Sequence, residues 1–93
     1  MVNRIIVIGK AKKQLDVAPP QVKTKFKLWL KLVQEHGLMK VRRSLGWHDE
    51  PLNGKREGQR SIRLNIQRRA IYVIKDDNSI EFVEVQEVTP HDY

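Results

Sequence analysis

The chain ends on His91, Asp92 and Tyr93, which set an imidazole, a carboxylate and a phenol side by side directly after a strand-like run. All three groups exchange protons, and the phenol can also stack on a nucleobase. Upstream, cations recur through one stretch: Lys55, Arg56, Arg60, Arg63, Arg68 and Arg69. A guanidinium grips phosphate oxygens in two-pronged fashion and keeps its charge as its surroundings dry out. Proton-active groups beside phosphate-binding cations are what chemistry on a polyanion requires. Metal chemistry has less to build on, because there is no cysteine and His36, His48 and His91 lack ligand spacing.

Charge sharpens this reading. The 93 residues carry a net +7, yet all 18 Lys and Arg fall within residues 1–75 beside 5 acids, a local net of +13. Residues 76–93 hold 6 acids and no Lys or Arg, a net of −6. A basic body with an acidic last strand fits a polyanion on one face and an acid-lined border on another. For the lysines of the long helix, plain solubility is a sufficient explanation. The length implies one domain over residues 1–93, and the absence of cysteine fits a reducing compartment. No apolar run approaches a membrane span, and the first strand is too short for a signal peptide, so a cytoplasmic protein with no membrane partner is expected.

The elements that must position these groups follow from periodicity. Arg4 to Ile8 is a continuous apolar run closed by Gly9, which reads as a strand buried on both faces. Residues 10–16 offer one or two helical turns. Pro19 and Pro20 suit the first turn of a second helix, along which Val22, Phe26, Trp29, Leu30 and Val33 form an apolar stripe widened by Leu28 and Leu32. Lys23, Lys27 and Lys31 line its other side, and Gly37 should end it. Leu38 to Leu45 can add a short helix before a loop with Gly46, Pro51, Gly54 and Gly58. Three strand-like runs follow, over residues 60–66, 69–74 and 80–88, the last two joined by a hairpin connection at residues 75–79. The order predicts an α+β domain: an N-terminal strand, two helices, then an antiparallel three-strand meander with the helices on one sheet face.

In the first strand of the meander, Ile62, Leu64 and Ile66 alternate with Ser61, Arg63 and Asn65, so Arg63 should face away from the helices. With Lys55, Arg56, Arg60, Arg68 and Arg69 around it, the open face would become a phosphate cradle of six cations. Trp29 and Trp47 read as packing residues, Tyr72 as half-buried in the sheet, and His48 as an incidental loop residue.

The stretch from Asp49 to Ile74 resembles the signature of the RelE/ParE superfamily of bacterial toxins, and most closely its mRNA-cleaving branch. The matching text is Pro51-Leu52-Asn53-Gly54, then Arg60-Ser61-Ile62-Arg63-Leu64, then Arg69-Ala70-Ile71-Tyr72. The resemblance implies a small RelE-like domain and the toxin of a toxin–antitoxin pair, acting as a metal-free, cofactor-free, ribosome-dependent endoribonuclease. In such a reaction a base takes the proton of a 2′-OH, that oxygen attacks phosphorus, and the 5′-oxygen leaves with a proton from an acid.

By the same resemblance, Arg69 would meet the scissile phosphate with Arg63 as a second cation, Glu50 would be the general base, and His91, Asp92 and Tyr93 would supply acid, base or stacking. Lys55, Arg56, Arg60 and Arg68 would hold the RNA. The tail order His-Asp-Tyr departs from the His-Tyr and Asp-Tyr-His endings of the branch, which leaves the individual tail roles open. Asp92 would favour the imidazolium of His91, which makes that residue the first choice for the acid. Implied partners are mRNA, the ribosomal decoding site and a cognate antitoxin whose acidic segment suits the basic face. Two other readings fit the same residues: a ParE-like poison of DNA gyrase, and a nucleic-acid-binding module without catalysis.

Overall fold

Helices cover one face of a five-stranded sheet; no helix packs on the other, although Ser61, Ile71 and Arg69 are buried there. The computed structural model describes residues 1–77 and 80–90. Its elements are β1 (Ile5–Val7), α1 (Gly9–Asp16), α2 (Pro20–His36), α3 (Leu38–Arg42), β2 (Glu50–Pro51), β3 (Arg60–Arg63), β4 (Arg68–Asp77) and β5 (Ile80–Pro90). The strand order is β1-β5-β4-β3-β2, with β1 parallel to β5 and every other pair antiparallel. The α+β architecture and the β3-β4-β5 meander agree with the sequence expectation. The sheet gains β2, and α1 and α3 join α2.

The core forms where α2 lies across the sheet. Val22, Phe26, Trp29 and Val33 are buried against Ile62, Ala70, Tyr72, Val83, Val85 and Val88. The Trp29 ring sits 5.6 Å from Tyr72 and 6.0 Å from Phe26, centroid to centroid, a tilted aromatic stack that joins helix to sheet. Tyr72 is fully buried rather than half-buried. Leu28, expected on the stripe, is exposed at its border. The helix starts with proline in its first turn and stops at Gly37, whose φ of +83° few other residues adopt and where a Cβ would press on the Met1 sulfur at 3.0 Å.

Three expectations are corrected. The first strand is an edge strand, and Ile6 stays 47% exposed on the side away from the helices. Beyond β1, the edge of β5 is closed by α1, whose Gln14 Oε1 accepts the Val88 N–H at 2.8 Å. The strand expected over residues 60–66 stops at Arg63, because Asn65 Oδ1 accepts the N–H groups of Gln67 (2.9 Å) and Arg68 (2.7 Å) and turns the chain. Ile66 therefore sits at a turn tip, 87% exposed, and not in the core. Residues 75–77 belong to β4 rather than to the hairpin connection, whose Asn78 and Ser79 lie outside the described residues.

One irregularity sets the phase of β5. Ile71 faces Glu87 but Tyr72 faces Val85, so Gln86 is an extra residue on that strand. Below it Val83 and Val85 point to the helices, and above it Val88 does.

Trp29→Ala should lower the unfolding free energy by about 3–5 kcal/mol in a denaturant titration. Ile66→Ser should leave it within about 0.5 kcal/mol, whereas a strand reaching residue 66 would make that substitution costly.

Candidate active site on the open sheet face

Directly opposed residues of neighbouring strands share a face, so register places the candidate residues. Ile62 opposes Ala70 and Arg60 opposes Tyr72, which puts these four on the helix side. Ser61 then opposes Ile71, and Arg63 opposes Arg69, on the bare side. Glu50 joins that side opposite Ser61, and Glu87 joins it opposite Ile71. The bare face thus carries one row of Glu50, Ser61, Ile71 and Glu87, and a second of Arg63, Arg69 and Thr89. The rows lie about 7 Å apart along the strands.

Two arginines opposed on adjacent strands concentrate positive charge at one place on the sheet, which favours an anion nearby. Arg69 is only 3% exposed. The Arg63 Nε is buried and has no hydrogen-bond partner among the described residues. The other end of Arg63 is held by His48, with Nη1 3.5 Å from Nε2. A guanidinium only donates, so Nε2 of His48 is the accepting side of this long contact. His48 has a φ of +48°, the one left-handed non-glycine residue described. In the sequence it reads as a loop histidine; its position two residues before Glu50 is the signal that it can reach the same side of the sheet.

The six-cation cradle is only partly built. Arg60 and Arg68 fall on the helix side of their strands, as alternation from Arg63 and Arg69 requires, since each stands an odd number of residues away. Arg56 donates to Glu87 Oε2 at 2.8 Å and to Gln59 Oε1 at 3.1 Å, while Lys10 approaches Glu87 Oε1 at 3.6 Å. The Arg56 hydrogen bond holds the Glu87 carboxyl below its usual range. Lys55 stays exposed on the turn at residues 54–56. Within the sheet, the cations on the face opposite the helices are Arg63 and the buried Arg69. The excess charge lies elsewhere: residues 9–43, the helical layer, carry ten Lys and Arg against two acids, and the rest of the chain nets −1.

Beneath the site lies a buried carboxylate. Asp49, with its side chain 1% exposed, accepts the Tyr72 hydroxyl at Oδ2 (2.5 Å) and the Arg60 Nε at Oδ1 (2.7 Å). Burial, and then the hydrogen bond to Asp49, push the Tyr72 phenol far above its usual range. Burial works against the Arg60 charge, but the hydrogen bond and negative charge of Asp49, together with Tyr72, outweigh it and raise the Arg60 pKa. Trp47 anchors the preceding turn in the core, with Lys25 Nζ 4.5 Å from its ring centroid. Among the described residues, no three of His, Asp and Glu gather as a metal site would need, and no helix is long and apolar enough to cross a membrane. His91, Asp92 and Tyr93, the expected tail groups, lie outside the described residues.

In a Tyr93→Phe variant, the single remaining tyrosine should show no phenolate absorbance at pH 10–11, where an ordinary tyrosine is half ionised or more. Because the folded-state pKa of Tyr72 is raised, its stabilising contribution is intact below about pH 10 and is lost as pH rises further. Phenolate should therefore appear together with unfolding; its appearance in the folded protein near pH 10 would contradict the buried hydrogen bond.

No family model matches the chain, and neither does any curated protein. Solved structures do. The YoeB/ParE toxin from Agrobacterium tumefaciens superimposes with a TM-score of 0.72 at 18% identity, covering 95% of this chain and 98% of that one. YafQ from E. coli strain BL21(DE3) gives 0.72 at 18% identity, with 94% and 91% covered. The E. coli DinJ–YafQ toxin–antitoxin complex gives 0.71 at 19%, with 97% and 94% covered. Near-complete coverage in both directions means that the match spans the whole domain, and the chain has the RelE-like fold of these toxins.

Proposed function

We propose that the protein is the toxin of a toxin–antitoxin pair and a metal-free endoribonuclease that cuts mRNA on the ribosome. The observation that carries this reading is the opposed pair Arg63 and Arg69 on the bare face, with Glu50 one row away on the same side. The two guanidiniums take the non-bridging oxygens of the scissile phosphate and stabilise the charge that grows on them during attack. Glu50 accepts the 2′-OH proton, the oxygen bonds to phosphorus, and the 5′-oxygen leaves with a proton from His91. The products are a 2′,3′-cyclic phosphate and a 5′-hydroxyl. His48 orients Arg63, and Tyr93 stacks on a base or shares the proton transfer. Lys55 steadies the strand at the rim; Arg56, Arg60 and Arg68 act through the ion pairs and positions described above more than through direct contact.

An antitoxin partner is supported by the fold shared with YafQ of the DinJ–YafQ complex. The sheet face opposite the helices, at Arg63, is the surface that a partner with an acidic segment would cover.

Brief expression followed by mapping of cellular mRNA 5′ ends tests the reaction class. Wild type should give cuts at a fixed position within codons. Arg69→Ala should reduce them by about 10²–10³-fold, and Glu50→Gln or His91→Gln by about 10²–10⁴-fold. Growth arrest without cuts, accompanied by a DNA-damage response, would replace this reading with gyrase poisoning. Full activity in Arg69→Ala would leave a binding module.

A further inference from the structure

We propose that Asp49 is a positioning residue: its buried carboxylate, held by Tyr72 and Arg60 on the helix side, fixes residues 48–50 so that His48 and Glu50 stand on the open face beside Arg63. The catalytic consequence rests on the nuclease reading; the structural one rests on geometry alone.

Three consecutive titratable residues, His48-Asp49-Glu50, alternate in direction. Glu50 opposes Ser61 on the bare face, and Pro51 opposes Arg60 on the helix side, so Asp49 points inward as Pro51 does. This segment has few other holds. The β2–β3 pairing extends over two residues, too short to fix a loop alone. His48 adopts a left-handed backbone, which a residue with a Cβ keeps only when its surroundings impose it. The next anchors are Trp47 on one side and the Leu52 N–H bound to the Gln59 carbonyl at 2.9 Å on the other.

An ionised carboxylate is taken out of water only where hydrogen bonds replace its hydration, and Asp49 has two short ones from residues on two different strands. Tyr72 is itself fixed by the Trp29 stack, so the core of the protein sets the height and rotation of the active loop. Arg60, expected to hold RNA, serves this clamp on the far side of the sheet.

Because Trp47 and Leu52 bracket the clamp, its loss should loosen the loop and spare the fold. Asp49→Asn and Tyr72→Phe keep shape and volume while weakening the clamp. Two readouts separate the claims: amide hydrogen exchange along the chain, which needs no activity, and kcat and KM for mRNA cleavage on programmed ribosomes. Each variant should speed exchange at residues 48–52 by about tenfold or more, with β4 and β5 unchanged. Each should lower kcat by about 10²-fold with KM within about twofold, and the double variant should lose little more than either single one.

Unchanged exchange in both variants would overturn the clamp, as would loss of protection throughout β4 and β5. Faster loop exchange with unchanged kcat would overturn the positioning role. If wild type does not cleave, the nuclease reading fails, and the exchange data still decide whether Asp49 holds the loop.

Discussion

What β3 and β4 bury on one side dictates what they show on the other. Ile62, Ala70 and Tyr72 pack into the core that α2 shares with α3 and Trp47, and the two-residue period of a strand then turns Ser61, Ile71, Arg63 and Arg69 to the opposite face. The opposed arginines are therefore a by-product of hydrophobic burial. Their juxtaposition is kept because the register cannot slip by one without sending every core residue of both strands into water.

The polar groups are built on that frame in two layers. On the helix side, Asp49 gathers Tyr72 and Arg60 into a buried cluster beneath the aromatic stack. On the open side, His48 and Glu50 emerge from the same three-residue stretch beside Arg63. A rigid core is thereby connected to exposed proton-active groups through one carboxylate. The electrostatics are also two-sided: the open face balances arginines against Glu50 and Glu87, while the surplus of positive charge resides in the helical layer.

Periodicity made much of this legible. The α2 stripe, its proline start and its glycine stop followed from residue types, and so did the three-strand meander and the outward direction of Arg63. The misreadings have particular causes. Ile66 continued an apolar alternation, but the Asn65 side chain captured two backbone N–H groups and ended the strand first. The Ile5–Val7 run has the composition of a doubly buried strand, yet its place in the sheet is an edge, and only topology reveals that. Arg60 and Arg68 were grouped with the cradle by proximity in sequence, although strict alternation assigns them to the other side. Asp49 was invisible for a different reason: its partners lie 11 and 23 residues away, and no local pattern announces such a pairing.

The extra residue at Gln86 makes the sheet a junction of two phases. In β5 the inward valines are Val83, Val85 and Val88, a spacing of two and then three, so the strand changes sides once along its length. Without that step Glu87 would turn into the core, Val88 would turn out, and Arg56 would lose the carboxylate it grips. The irregularity is thus what reconciles the length of this strand with its composition. Removing Gln86 would restore plain alternation with Val85 and Val88 inward and Glu87 outward, whereas flattening the strand with Gln86 still in it would turn over the half that pairs with Arg69 and leave the hairpin half as it is.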